Sequence, residues 1–464
     1  MSERGMPAAA DPVTSGLLSR IRVVHALPLV PLFMVALFAS ATIRDNSFLW
    51  HVRAGEVQRT AGSVLSHDVF SFTELGSEWR TQSWLVELLY DSIDGVAPSL
   101  AWMNWIVLIV GGITMLMVGI AVYRSTPSLV MVSLTLIVSA WLLGPFLQPR
   151  PVLFSFLLLA SLVVVLQNPD RLLWLVVPII WIWAGVHGSW VIGGGLVVLE
   201  WLRTGDKRLV AVGTIALVAT LTTPHGLGTW LIVVDFFGAR DALSLMQEWK
   251  PPDFFSAAQM PYLVLVLGIV VAFWRSKIGV RDFVVVLPFL LFGLTSRRAV
   301  TPAAIVLLPY AVLALPLLRV PRSNTKPAVA AAIVATVGAA TMLPMISSSV
   351  GTLDPKRFPD DEVRAAISGR NVFHDDAVGG YLIYAEFPER LVWIDDRAEL
   401  HGIERLQEFT DARDGEYETV FDRYGFDSAL TRPDWPLTDE LIGDGWRTTY
   451  QSENFLVLVP PLGR

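Results

Sequence analysis

The chain has 464 residues, of which 53% are hydrophobic and 17% charged, and its mean hydropathy is +0.54. A composition this apolar over this length excludes an ordinary soluble enzyme and implies a polytopic α-helical membrane protein. The formal charge of −7 argues against nucleic acid as a partner, and the absence of cysteine excludes disulfides, thiol nucleophiles and thiolate metal sites.

In chain order, residues 1–21 form a polar segment with no evident cleavable signal, predicted to be a cytoplasmic tail. Apolar runs follow near 22–43, 100–122, 127–146, 151–167, 171–187, 189–202, 208–222, 260–274, 282–296, 300–318 and 327–346. They predict about eleven spans within a transmembrane domain over 22–349, since a span takes ~17–25 residues. Gly and Pro interrupt the runs between 151 and 202, as in broken or re-entrant helices.

One set of connections carries Arg4, Arg20, Arg22, Arg124, Arg171, Arg203, Lys207, Arg208, Arg275, Lys277, Arg281, Arg319, Arg322 and Lys326. The short alternate connections hold only Arg150, Arg240, Lys250, Arg297 and Arg298. The positive-inside rule then predicts a cytoplasmic N-terminus and, with an odd span count, an extracytoplasmic C-terminal part.

Two segments outside the spans are long. Residues 44–99 form a first external loop in which QSWLVELLYDSI has the spacing of an amphipathic helix on the membrane surface. Residues 350–464 alternate strand-like runs (NVFH, LVWID, SALT, FLVLV) with helix-like ones near 379–386, 402–414 and 437–443, predicting a small α/β domain.

On this topology the polar groups at membrane level fall on one side: Asp45 and His51, Arg150 in LQPRP, His187 in AGVHGSW and His225 in TTPHG. Glu248, Lys250 and Asp253 in QEWKPPDFF and the pair Arg297 and Arg298 in TSRRAVTP join them. Ionisable groups near hydrocarbon cost a few kcal/mol each, so a one-sided collection of carboxylates, imidazoles and arginines predicts a site at the external face. Singly, each has a plainer explanation: Asp45 as a helix cap, His51 as an interfacial neighbour of Trp50, the arginine pair as snorkelling cations. The C-terminal part adds a cluster of His374, Asp375, Asp376, Asp395, Asp396, Arg397, Glu399 and His401. That cluster reads as a solvated loop beside a capped helix or as a lip over the membrane site.

The stretch DNSFLWHVRAGEV, followed by HDVFSFT and W-x-x-x-x-WLVELLY, resembles the first external loop of a family of bacterial multipass proteins with the GT-C glycosyltransferase architecture. The family pattern there is close to D-x-D-x-x-W-H-x-x-x-G, then D-x-F-S-(F/Y)-T, then W-x-x-H-E-W-L-x-E. WAGVHGSW, TTPHG, EWKPPDF, the RR pair, DDAVGGYLIY and VWIDDRAELHG continue the resemblance, in order, over nearly the whole chain.

The resemblance implies a GT-C-like transmembrane domain that transfers a sugar from a polyprenyl-phosphate carrier to an envelope glycan, lipid or protein at the extracytoplasmic face of the bacterial cytoplasmic membrane. No nucleotide cofactor is expected. Asp45 stands at the family's catalytic carboxylate, and His51 could orient it, bind the acceptor or help hold a divalent cation. Arg150, His187, Glu248, Arg297 and Arg298 are the candidates for substrate and lipid-phosphate binding, and Asp376, Asp396 and Arg397 for acceptor binding. Phosphate gains charge as it leaves, so arginines suit it.

Departures from the pattern are Ser47 for its second aspartate, Gln82 and Ser83 for its His-Glu pair, Gly185 for an asparagine and Thr223 for another. They leave metal dependence open and admit a second reading, a non-catalytic GT-C-like scaffold or glycolipid-binding protein of the envelope. A transporter would place its charges at the bilayer midplane in two related halves, and no internal repeat is visible.

Overall fold

In hydrocarbon a backbone must satisfy its own N–H and C=O groups, and the apolar runs do so as helices. The computed structural model describes residues 27–97, 99–238, 247–315 and 326–461. The expected cytoplasmic tail with Arg4, Arg20 and Arg22, and also Arg240, Arg319 and Arg322, lie outside the described residues. Among the described residues up to 346, the helices longer than a single turn begin with α1 (Leu29–Ala39), α2 (Ser47–Ala61), α3 (Trp84–Asp94), α4 (Ala101–Ser125), α5 (Leu129–Leu143), α6 (Pro151–Leu166) and α7 (Val176–Val186). They continue with α8 (Trp190–Thr204), α9 (Lys207–Thr220), α10 (Gly228–Gly238), α11 (Met260–Trp274), α12 (Phe283–Phe292), α13 (Arg297–Ala311) and α14 (Lys326–Ile346).

Each of the eleven apolar runs holds one of these helices, and α10 is an additional apolar helix beyond them. Among the described residues four helices are long and apolar enough to cross a membrane: Ala101–Ser125, Leu129–Phe146, Pro169–Val186 and Arg297–Ala314. At 1.5 Å per residue, α4 alone is about 38 Å long, against ~30 Å of hydrocarbon. Some of the remaining runs are interrupted at Gly or Pro. The runs 171–187 and 189–202 are separated at His187, whose backbone is extended between α7 and α8, and α12 carries Pro288.

The C-terminal part adds α15 (Asp361–Ala366), α16 (Asp376–Glu386), α17 (Ala398–Arg413), α18 (Glu418–Tyr424) and α19 (Pro436–Gly443) around four strands. These are β1 (Val372–Phe373), β2 (Ser428–Thr431), β3 (Arg447–Gln451) and β4 (Leu456–Val459), in the order β1-β2-β4-β3. The β1–β2 pair is parallel and the other two are antiparallel. LVWID, expected as a strand, lies outside this sheet: Val392 bridges to Ser71 of the first loop. The fourth strand is β3, exposed along nearly all its length, so it lacks the apolar alternation that marks a half-buried strand.

The first loop and the C-terminal part form one packed layer on the end of the bundle. Val392 donates its N–H to Phe70 O (2.9 Å) and accepts from Phe72 N (3.0 Å), and Ile43 pairs with the segment at Thr352 and Asp354. Trp50, Phe70, Trp79 and Tyr90 share a hydrophobic core with Val378, Tyr381, Leu382 and Val392. Two adjacent glycines permit the closest approach. A Cβ on Gly379 would land on the carbonyl oxygen of Ile394, and one on Gly380 would lie 2.7 Å from that of Asn46. Gly380 thus lets α16 press against the start of α2, and Gly379 lets it press against the segment at Ile394. The expected surface helix is α3; it buries Trp84, Val86, Glu87, Tyr90 and Asp91 and leaves Leu89 outward.

Candidate functional site

Asp45 follows α1 and is positioned from three directions. Asn104 of α4 donates to the carbonyls of Ala39 (2.7 Å) and Ala41 (3.0 Å), capping the end of α1, while its Oδ1 accepts Gly351 N–H (2.9 Å). The bridge at Ile43 holds the next residues. Asp45 Oδ1 then accepts both the N–H (3.0 Å) and the hydroxyl (2.7 Å) of Ser47, starting α2. The N-cap of α2 is Asn46, without a side-chain cap bond, so Asp45 holds the first residue of the helix from just outside the cap and uses one oxygen for it.

The other oxygen, Oδ2, accepts Arg150 Nε. Arg150 precedes Pro151, which disfavours helical backbone in the residue before it, so Arg150 is extended (φ −88°, ψ 149°) and stands off the end of α6. Its turn is tied to α3 by the Tyr90 hydroxyl, which donates to Pro149 O (2.9 Å). A second guanidinium nitrogen donates to Glu248 Oε1 (2.6 Å), and Glu248 Oε2 faces Arg298 Nε at 3.6 Å. Asp45, Arg150, Glu248 and Arg298, from four separate segments, thus form one alternating chain of charge. Burial opposes ionisation of Glu248, but Arg150 and Arg298 outweigh it and hold its carboxyl below its ordinary value.

Arg298 stacks over Trp249 at 5.0 Å and borders a cavity of about 560 Å³. Apolar side chains such as Phe156, Trp183 and Ile192 make up most of the wall, with His187 and Gln82 beside Arg298. Trp249 Nε1 and Ser155 Oγ, both from the wall, are buried without a hydrogen-bond partner among the described residues. Gln82 Oε1 accepts Gly188 N–H (2.9 Å), and Gly185 lets the Trp84 indole approach, so two of the motif departures serve the α7–α8 break.

Other candidates are placed differently. His51 stacks on Trp50 with ring centroids 3.6 Å apart, and its Nδ1 meets Glu87 at 2.7 Å. Among the described residues Arg297 has no carboxylate partner and its buried Nε no hydrogen-bond partner, while its backbone N–H donates to Lys250 O (3.0 Å). His225 bonds Thr81 O (2.8 Å), and Asp253 caps a turn at Phe255 N (3.0 Å).

In the C-terminal cluster, Arg397 is buried between Asp395 (2.6 Å) and Asp68 (2.7 Å) under the Trp79 ring, clasping the first loop. His401 and His374 each accept a backbone N–H, from Asp395 and Trp393. Asp375 caps α16 and pairs with Arg432. Asp396 instead turns toward the membrane site. It accepts Trp50 Nε1 (2.8 Å), and burial, then Asp395 and Asp45, raise its carboxyl well above the usual range. Asp376 is likewise raised, to about 6, by burial and by Asp375. Among the described residues no group of three or more His, Asp or Glu converges as a metal-ligand set.

The bundle and the loop-and-sheet layer on its end form a mostly helical fold with several apolar helices and a small C-terminal sheet. No protein-family model and no curated protein sequence matches the chain. Among solved structures it is similar to the crystal structure of the Archaeoglobus fulgidus oligosaccharyltransferase in the apo form, with TM-score 0.51 and 12% identity, over 87% of this chain and 69% of that one.

Proposed function

We propose that this chain is an integral membrane glycosyltransferase that takes a sugar from a polyprenyl-phosphate carrier and transfers it to an envelope acceptor. One observation carries the reading: an apolar cavity of about 560 Å³ runs up to Arg298, and from there a chain of charge leads to Asp45. A polyprenyl phosphate has the same plan, a hydrocarbon tail ending in an anion. The tail occupies the cavity, Arg298 and Arg150 face the phosphate, and Asp45 and His51 stand where sugar and acceptor meet. The likeness in fold to an oligosaccharyltransferase supports the same class of reaction. The site then opens at the extracytoplasmic face of the bacterial cytoplasmic membrane, with the N-terminus cytoplasmic and the domain over 350–464 above the site, where Asp396 and Asp376 meet the acceptor.

The test is transfer by the purified protein in lipid vesicles, given radiolabelled polyprenyl-phosphate sugars and envelope glycan extract. Label moving from lipid to glycan supports the reading, and donors left intact across the set of sugars count against it. A glycolipid-binding role without transfer is favoured by one feature, the engagement of both Asp45 oxygens by Ser47 and Arg150. Donor bound but never consumed is its signature.

A further inference from the structure

Glu87 is fully buried on the inner face of α3, and its carboxylate collects three donors, two from α2 and one from the segment before α3. His51 Nδ1 lies 2.7 Å from Oε1, Gln58 Nε2 donates to Oε2 at 2.5 Å, and the Thr81 hydroxyl donates to Oε1. Thr81 Oγ1 accepts the Ser83 N–H (3.3 Å), which leaves its own proton for Glu87. A carboxylate so surrounded fixes the imidazole opposite it. The bond formed at one ring nitrogen decides which nitrogen keeps the lone pair, and here the Nδ1–H is directed at Glu87. Nε2 has no hydrogen-bond partner among the described residues, and the ring lies within electrostatic reach of His187 at the cavity mouth.

Asp45 is differently placed. Ser47 bonds Oδ1 twice and Arg150 bonds Oδ2, so three of the roughly four acceptor sites of the carboxylate are engaged, and its charge is committed to Arg150.

We propose that His51, positioned by Glu87, takes the proton of the acceptor hydroxyl, while Asp45 acts through its charge and its hold on Arg150. This rests on the transferase reading above. The hydroxyl proton passes to His51 Nε2, and the oxygen's electron pair forms the bond to the anomeric carbon. The bond from that carbon to the phosphate oxygen breaks, and its pair leaves with the phosphate, toward Arg150 and Arg298. Glu87 touches neither substrate. It holds the imidazole in the tautomer whose Nε2 can accept.

The experiment begins with the wild-type protein in membranes, labelled with 15N-histidine and free of substrate. The chain has seven histidines, so solid-state NMR with a His51→Gln comparison assigns the ring in mildly alkaline buffer. The proposal requires the Nδ1–H tautomer at His51 and loss of that preference in Glu87→Ala. A wild-type ring in the Nε2–H form overturns it, as does a folded Glu87→Ala protein with the tautomer unchanged. Should Glu87→Ala fail to fold, the wild-type spectrum still decides.

Transfer supplies the second readout: His51→Gln lowers it about a hundredfold or more, as for loss of a general base. Full transfer by His51→Gln removes the base role and leaves the transferase reading standing. An inactive wild type with the Nδ1–H tautomer removes the transferase reading and leaves the Glu87 pairing in place.

Discussion

Arg150 joins Asp45 to the rest of the polar chain: its Nε bonds Asp45 Oδ2 while its end nitrogen bonds Glu248. One planar guanidinium therefore bridges a carboxylate beside α1 and another from the segment before α11, a geometry that a lysine ammonium cannot reproduce. The bond also makes the charge at Asp45 depend on residues more than 100 positions away in the chain. Charge removed at either end is felt along the whole series.

Arg298 is the cation nearest the apolar cavity, and its only carboxylate contact among the described residues is the loose 3.6 Å approach to Glu248. Arg298→Gln is expected to weaken binding of a polyprenyl phosphate about ten- to hundredfold, the loss of one charged hydrogen bond of ~1.5–3 kcal/mol. Equilibrium binding of a labelled lipid to the purified variant checks this. Unchanged affinity would place the phosphate elsewhere.

Arg397 is a stability residue in this structure. Asp68 and Asp395 are as deeply buried as the guanidinium between them. Arg397→Leu leaves both carboxylates without their cation, a loss of about 3–5 kcal/mol. Thermal unfolding in detergent should fall accordingly, and limited proteolysis should cut the C-terminal part away from the first loop. Arg413→Leu, which breaks an exposed pair with Asp414, should cost less than about 1 kcal/mol.

Asp376 gives stability an acidic preference. Burial and then Asp375 raise its carboxyl from an ordinary 3.8 to about 6. Between those values the folded form holds a proton that the unfolded chain has released. The contribution of Asp376 is therefore greatest below about pH 4, falls as pH rises to about 6, and is level above that. At 1.36 kcal/mol per unit the penalty reaches about 3 kcal/mol at neutral pH. Asp376→Asn should melt higher than the wild type at pH ~7 and lose the advantage near pH ~4. The same melting point at both values would contradict the assignment.

Because the chain has no cysteine, single substitutions report sidedness without background. Ser63 and Glu389 are exposed on the loop-and-sheet layer, and Lys207 is exposed at the opposite end of the bundle, where Arg124 and Arg203 border a separate crevice. An impermeant maleimide applied to intact cells should label Ser63→Cys and Glu389→Cys, and reach Lys207→Cys only after permeabilisation. The reverse pattern would invert the topology.

The basic residues of alternate connections, together with the polar groups left at the other helix ends, made one end of the bundle legible as the polar one. Arg150, Glu248 and Arg298 were readable as members of that set because each follows or precedes an apolar run. Their order along the charge chain was not, since hydropathy locates a residue in depth and carries no information about its lateral partner. Glu87 was hidden for a related reason. It lies in an amphipathic helix whose outward Leu89 suggested a membrane-surface placement, while the face carrying Glu87 packs inward on α2. Arg397 and Asp68 lie 329 positions apart, and neither local pattern hints at the other. LVWID has the composition of a strand, yet it pairs with the first loop, because the glycines of α16 bring that segment beneath it.

The account depends most on Asp45. Asp45→Asn keeps the size of the side chain and an oxygen for Ser47 while removing the negative charge that Arg150 and the reacting sugar require. In vesicles carrying a labelled polyprenyl-phosphate sugar and acceptor glycan, the folded variant should retain donor binding and transfer at least about a hundredfold more slowly than the wild type. Transfer by Asp45→Asn at the wild-type rate would contradict the account.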